Sequence, residues 1–598
     1  MPLNRNVVSR FDIAPSTNHS RTMFPLNFNN KLTFNAGDLV PIYVSEVLPG
    51  DTFNLKNNFV VRMSTPIHPV MDNLYIDTYF FYVPNRLIWK YWVNFMGENS
   101  NQWSIDTSQF VPPYVKVDLA KNEPGSVLNY LGVPSYGTLW DGSSGSRSAR
   151  QSVDVCVLEL EAYKKIFNDW FRDENLLPEV PLYPEMNGQV GLIPDTYSQS
   201  VSTLYTQLSG STGGTPSFVG YNDYLCDYFD INSLRLDDDD NPFGYPLVKH
   251  SCLKVAKYHD YFTSALPQPQ KGADVLIPAS GSVDVVSSSN NPFFQLKDGN
   301  RLATNGNIES KIFTGDSYAS IGGVGSQPLV YNPNGTLGFE GLEITVNNLR
   351  LAIQTQRILE KDARSGSRYI EILKSHFGVT SPDARLQRSE YLGGKRTRLN
   401  MSEVVQTSQT TEDSALGSLA GHSLTAVQDD GFTKTFVEHG YVIGVACVRP
   451  DRTYGQGLPR RYSRKTRFDY YIPELDNIGE TPILNKELFI PGIAETEKAD
   501  DVFGYQEAWA EYRTEQARAC GEFAPGVSGS LDSWHYGDIY TRTPHLSSQW
   551  LYSGYSEVDR TLAVQSSLGD QFIMDLLITG SKTRIMRAYS VPGLMDHA

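Results

Sequence analysis

DTFNLKNNFVVRMSTPIHPVMDNLYIDTYFFYVPNRLIWKYW, residues 51–92, carries the clearest β pattern in the chain. Thr52, Asn54, Lys56 and Asn58 alternate with Phe53, Leu55 and Asn57, and Phe59-Val-Val-Arg-Met63 follows. Successive side chains of a strand point to opposite faces, so such alternation marks a strand with one buried face. Tyr75 to Val83 (YIDTYFFYV) is rich in aromatic and β-branched residues, which fit a pleated surface. Pro66, Pro69 and Pro84 bracket the two runs. The spacing predicts two strands bounded by turns.

Upstream, residues 1–50 mix turn signals with short apolar pieces. Arg5, Arg10, Arg21 and Lys31 face one acid, Asp12, before Asp38. No period persists, so the expectation is an extended N-terminal arm. Downstream, Leu160, Tyr163, Phe167, Trp170 and Phe171 recur at three- and four-residue steps among charged residues. That predicts an amphipathic helix over 157–175, with Trp170 on its apolar face and Pro178 and Pro181 beyond its end. Residues 345–378 return to helical spacing in two pieces, with Gly378 placed as a C-cap. Residues 432–449 (FTKTFVEHGYVIGVACVR) read as a strand. Residues 571–589 hold another β-like run, in which Asp575-Leu-Leu-Ile578 leaves a helix open.

Between these patterned regions the composition shifts. Residues 272–341 carry eleven glycines, about twice the chain-wide density, among frequent Ser, Asn and Pro. A long insertion at 190–340, with small β structure of its own, follows from that shift. The expected division is an arm (1–50), a first β part with the helix (51–189), the insertion (190–340), and a helical pair with the second β part (341–598). β segments at both ends of a chain are the mark of a Greek-key sandwich, where neighbours in space lie far apart in sequence. No repeat of 20–50 residues occurs, which argues against a fibre.

Of 598 residues, 40% are hydrophobic and 20% charged, enough apolar mass for a sizeable core. Net charge is −16, so any nucleic-acid contact must be local, on a basic patch. Five cysteines (Cys156, Cys226, Cys252, Cys447, Cys520) are scattered without CxxC and read as buried free thiols of a reducing compartment. The start, MPLNRNVVSRFDIAPS, lacks the apolar stretch of a signal peptide, and no run approaches the ~20 apolar residues of a membrane helix. The expectation is a soluble protein made in a cytoplasm.

Catalytic patterns are missing: no H-E-x-x-H, G-x-S-x-G or P-loop is present. His250, Cys252 and His259 fit no common zinc spacing. Residues 222–240 carry net −6 and read as a solvated acidic loop, with a loose Ca²⁺ site left open; no cofactor is assigned. An all-β carbohydrate-active enzyme stays as the rival class, although no carboxylate pair stands out. The most informative charge feature is RPDRTYGQGLPRRYSRKTR (449–467), with seven basic residues and one acid. Guanidinium groups neutralise phosphates and aromatic rings stack unpaired bases, so this is the composition of a single-strand contact. Arg449, Arg452, Arg460, Arg461, Arg464, Lys465 and Arg467 are its candidate phosphate ligands, and Tyr462 its candidate stacking residue. The alternative pairs these cations with the acidic stretch 469–515, which holds twelve acids and three bases. A second basic run spans Arg385 to Arg398, and Lys582, Arg584 and Arg587 form a third.

Several longer blocks resemble one family. They are YFFYVPNRLIW (79–89), FNDWFR (167–172), SPDARLQRSEYLGG (381–394), HGYVIG (439–444), GYQEAWAEY (504–512) and VPGLMDH (591–597). Together they are similar to the major capsid protein of the small single-stranded DNA phages of the Microviridae, in the gokushovirus branch. Residues 190–340 match no such block. The resemblance implies a viral-capsid jelly roll of eight antiparallel strands with long insertions and a few helices. It implies sixty copies in an icosahedral T=1 shell around a circular single-stranded DNA genome, with no catalysis. It implies an insertion that forms the threefold protrusion and contacts a bacterial surface receptor. Internal scaffolding, minor (pilot) capsid and small DNA-binding proteins are the implied partners, and the host cytoplasm is the implied site of assembly. On this view the basic segments face inward. Another virion surface protein, such as a spike, is the remaining alternative.

Overall fold

The computed structural model describes residues 20–98, 112–118, 124–135, 152–180, 182, 252–272, 275, 293–296, 329–332, 346–365, 369–378, 387–405, 407, 416–417, 419–493, 495–527, 529–552 and 556–589. Two compact units emerge, Gln270–Arg364 and the remainder.

In the larger unit, eight of the strands build two four-stranded sheets: β1 (Thr22–Phe34), β2 (Val40–Val47), β3 (Thr52–Met63), β4 (Leu74–Pro84), β5 (Glu390–Arg398), β6 (Thr425–Thr435), β7 (Gly440–Pro450) and β8 (Phe572–Arg584). They form two antiparallel sheets, ordered β1-β8-β3-β6 and β2-β7-β4-β5. First and last strands pair over their whole length, from Thr22 opposite Arg584 to Phe34 opposite Phe572. Consecutive strands switch sheets except β4 and β5, which pair within one sheet, and the order is that of a jelly roll, two Greek keys wound together. The edges approach each other. Asn30 Nδ2 on β1 donates to the Ile42 carbonyl on β2 at 3.2 Å, and Lys395 Nζ on β5 to the Gln428 carbonyl on β6 at 3.0 Å.

The sandwich interior is filled by the alternate residues of β1, β3, β6 and β8 meeting those of β2, β4 and β7. Phe53, Leu55, Phe59, Leu576 and Ile578 face Ile42, Ile76, Phe80, Val442 and Ala446, all buried. A bulge in β6 between Asp429 and Phe432 keeps this phase. It needs Gly431, whose φ is +62° and where a Cβ would stand 2.0 Å from the Leu55 carbonyl oxygen. A second apolar layer lies on the far side of β2-β7-β4-β5. There Phe81, Val83, Tyr441, Ile443, Val445 and Cys447 pack under Leu160, Tyr163, Ile166 and Phe262. With both faces covered, all eleven residues of β7 are buried, and its sequence shows no alternation.

The helix α1 (Leu158–Ile166) continues as a π turn over Phe167–Phe171 and ends at Arg172, short of Pro178. The Tyr163 hydroxyl pins it to the sheet, donating to the Leu39 carbonyl at 2.8 Å and accepting from the Leu253 amide at 3.0 Å. The smaller unit holds a hairpin pairing Phe293–Leu296 with Leu329–Asn332, and most of the helix α2 (Val346–Ser365). Farther on, Tyr369–Ile372 and a π turn to Phe377 end on Gly378 at φ +67°, the expected C-cap.

Several expectations are corrected. Residues 20–50 are not an arm: they hold β1 and β2, because Phe24, Leu26, Phe28, Leu32 and Phe34 keep one face inward. Residues 1–19 lie outside the described residues. The segment 432–449 is the end of β6, a turn, and β7. Residues 572–584 are strand throughout, including Asp575 to Ile578. Residues 252–269, assigned to the insertion, belong to the larger unit, where Cys252, Leu253, Val255 and Phe262 are core. Residues 190–251, including the acidic loop, lie outside the described residues. Trp170 is 41% exposed rather than buried. It lies against Phe81 and Tyr391 with the Arg388 guanidinium 3.8 Å from its ring, and its Nε1 donates to Ser389 Oγ at 3.0 Å. Cys520 is exposed, whereas Cys252 and Cys447 are buried.

Candidate nucleic-acid interface

The basic run 449–467 begins inside the protein and ends outside it. Arg449 closes β7 and meets Asp77 of β4 at 2.5 Å, while its Nη1 donates to the Ala256 carbonyl at 2.9 Å. Asp77 is fully buried and also takes Arg396 Nε at 3.0 Å and the Tyr258 hydroxyl at 2.8 Å. The two guanidiniums lie 3.9 and 4.1 Å from the Tyr258 ring. Burial pushes the Tyr258 phenol well above its ordinary value, with Arg449 opposing. Arg452 is equally enclosed, between Asp538 and Glu557. Lys257 joins Asp538 at 3.1 Å and the Tyr540 hydroxyl donates to it at 2.7 Å. Burial alone would raise the Asp538 carboxyl, but Arg452 and Lys257 outweigh it and hold the group below the usual aspartate range. Arg449 and Arg452 are therefore structural cations. Both are buried and spent on carboxylates, which corrects their assignment to phosphate contact.

Past Pro459 the chain turns outward through short 3₁₀ turns at Arg460–Tyr462 and Arg467–Asp469. Arg460 and Arg464 are half-buried. Arg460 donates to the Pro482 carbonyl at 3.0 Å and lies 3.8 Å from both Glu487 and Glu511. Arg464 reaches Glu511 at 3.3 Å and stacks 4.3 Å from the Tyr512 ring. The alternative of pairing with the acidic stretch thus holds for these two, within the same subunit. Arg461, Lys465 and Arg467 are exposed and make no ion pair among the described residues. Tyr462, 65% exposed, sits with the Arg461 guanidinium 5.0 Å from its ring, and Arg467 lies 4.7 Å from exposed Phe468. The sequence of this run does not show the division, because only the third dimension brings Glu487, Glu511, Asp538 and Glu557 to it.

At the third basic site, Lys582 turns back onto the barrel end. Its Nζ donates to Ser45 Oγ at 2.6 Å and lies 5.0 Å from the Phe53 ring. Burial, then Arg584, push its amine down to about 8. Arg584 Nε pairs with Asp51 at 3.1 Å. Arg587 is exposed. The structure therefore leaves Arg461, Tyr462, Lys465, Arg467 and Arg587 presented to solvent, and engages the other candidates.

No group of three metal-ligating side chains gathers among the described residues. Nor does any helix among them have the length and apolarity to cross a membrane. The model of the family described as capsid protein (F protein) matches residues 13–594. The chain belongs to this capsid family. Its relatives include capsid protein VP1 of Bdellovibrio phage phiMH2K, 34% identical over 593 residues and covering 97% of both chains. Capsid protein VP1 of Spiroplasma virus 4 is 35% identical over 577 residues, with 94% of this chain and 93% of the relative covered. Capsid protein VP1 of Chlamydia phage 1 is 32% identical over 639 residues, with 98% of each covered. The similarity to Microviridae capsid proteins seen in the sequence blocks thus extends over nearly the whole chain. This capsid subunit is a structural component of a virion and not an enzyme.

Sequence reasoning missed Asp77, Asp538, Glu557 and Lys257. Each looks like an ordinary charged residue, and the partners of Asp77 lie 319 and 372 residues away. The exposed ring of Phe468 was missed as well, although it adjoins the basic run directly.

Proposed function

We propose that sixty copies of this capsid subunit form an icosahedral T=1 shell around a circular single-stranded DNA genome, and that Arg461, Tyr462, Lys465 and Arg467 touch that DNA. The observation that carries the DNA contact is the exposure of Arg461, Tyr462, Lys465 and Arg467 together, the three cations forming no ion pair among the described residues. Contacts are to phosphates and base faces, because a packaged genome presents every sequence. A stacked base on Tyr462 contributes ~1–3 kcal/mol where it occurs. At −16 per subunit the shell cannot neutralise the genome alone. Polyamines, divalent cations or a small basic DNA-binding protein supply the balance. An internal scaffolding protein and a minor pilot protein complete the particle, which assembles in the bacterial cytoplasm. Residues 190–340, apart from the core segment 252–269, form the outward protrusion that meets the host surface receptor; shortening 280–335 should spare folding and impair attachment. The deciding experiment replaces Arg461, Lys465 and Arg467 by Gln. Empty shells should form at normal yield while packaged DNA drops, and the slope of log K against log salt should fall by ~2 at ~0.7 per phosphate. Loss of empty shells with DNA affinity unchanged would make the run a subunit contact instead.

A further inference from the structure

The two sheets of the jelly roll are finished differently on their outer sides. The β2-β7-β4-β5 sheet is roofed by α1 and residues 252–265. On the β1-β8-β3-β6 sheet, the outward positions of all four strands are exposed or half-buried. That bare face departs from the charge of the chain. Along it stand Lys31, Lys56 and Arg62, with Asp575, opposite Lys31, the one acid among its described side chains, in a chain of net −16. Asp429, at the β6 bulge, stands opposite buried Asn57 and adds to burial in raising the Tyr391 phenol of the other sheet. The rest of the face is amide and hydroxyl. One row across the strands reads Asn29, Leu577, Asn58 and Gln428, and the row at the strand ends pairs Thr52 with Thr435 at 2.9 Å.

We propose that this bare sheet face is a floor on which packaged single-stranded DNA lies, a second nucleic-acid surface separate from the 461–467 loop. The inference rests on the reading that the shell encloses single-stranded DNA. Three properties fit that ligand. Charge complementarity is the first: cations outnumber acids locally on an acidic subunit, so polyanions are drawn to this face. Spacing is the second: strand rise and separation put Lys31, Lys56 and Arg62 about 12–20 Å apart, so each meets its own phosphate. Hydrogen bonding is the third: asparagine and glutamine amides both donate and accept, which suits phosphate, sugar and bases without selecting a sequence. Between them Leu577 and Ile573 are exposed and offer flat apolar ground for base faces.

The test replaces Lys31, Lys56 and Arg62 by Gln on the full chain. Binding of a fluorescent oligothymidylate to unassembled subunits is followed against salt, and nuclease-protected DNA is measured in particles. Expected are normal shells, a slope of log K against log salt reduced by ~2, and less protected DNA. Asn54→Lys supplies the opposite arm, because an added cation should steepen the slope by ~0.7 even if the triple variant folds poorly. An unchanged slope in both variants overturns the floor. Loss of shell assembly with the slope intact would assign the face to a neighbouring protein subunit and also overturn it. Wild-type particles without protected single-stranded DNA would overturn the underlying reading, so the two failures are distinguishable.

Discussion

The roofed sheet and the bare sheet share one fold and one core, yet they are written in different alphabets. β7 reads GYVIGVACVRP and is buried at every position; β3 reads TFNLKNNFVVRM and is buried at every second one. A strand between two layers has no solvent face, so a polar residue there must bring its own partner. Asp77 and Arg449 obey that rule on adjacent strands of the roofed sheet, linked at 2.5 Å. On the bare sheet water satisfies the outward amides, and no such bracing is required. The same architecture therefore tolerates change on one sheet and resists it on the other.

The largest expected effect is at the roofed sheet's ionic brace. Asp77→Ala leaves buried Arg449 without its carboxylate and should cost ~3–5 kcal/mol, read as loss of soluble subunit or a lowered urea midpoint. A small loss would mean that the roof opens to water more readily than its burial suggests. The Asp538 brace adds a pH signature. Its folded pKa is depressed below the reference 3.8, so its stabilisation is complete above about pH 4 and fades as pH falls through the lowered value. Asp538→Asn should therefore be less stable than wild type at pH 7, with the gap closing as pH drops below 4 in melting curves. A gap that stays constant with pH would remove the electrostatic explanation. Trp170 at the margin of the roof comes next. Because it is partly exposed, Trp170→Ala should cost ~1–2 kcal/mol rather than the ~3–5 of a fully buried ring, measured by melting temperature. The smallest effect belongs to the bare face, where Leu577→Thr should stay within ~0.5 kcal/mol. A loss as large as that at Trp170 would show that something covers the bare sheet even in the isolated subunit.

How much could be read in advance varied with how local the signal was. β3, β4 and β7 were plain, since composition and period lie within a dozen residues. β1 was hidden because Pro25 and Asn30 blur an alternation that Phe24, Leu26, Phe28, Leu32 and Phe34 otherwise keep. Trp170 was misplaced because the helix passes into a π turn after Ile166, which rotates later side chains off the 3.6-residue phase. The basic run was seen as a unit, yet it holds three populations: buried Arg449 and Arg452, half-buried Arg460 and Arg464, and exposed Arg461, Lys465 and Arg467.

From sequence alone, the chain's β character and its capsid kinship were determined, because period and long similar blocks are properties of neighbours along the chain. Which strands pair, which sheet is roofed and which cations are spent was decided only by the tertiary structure. The reason is physical: β1 meets β8 across more than five hundred residues, and Asp77 meets Arg449 across 372. Such contacts arise when separate segments bury their apolar faces together, and a carboxylate acquires its partner only once that burial has excluded water.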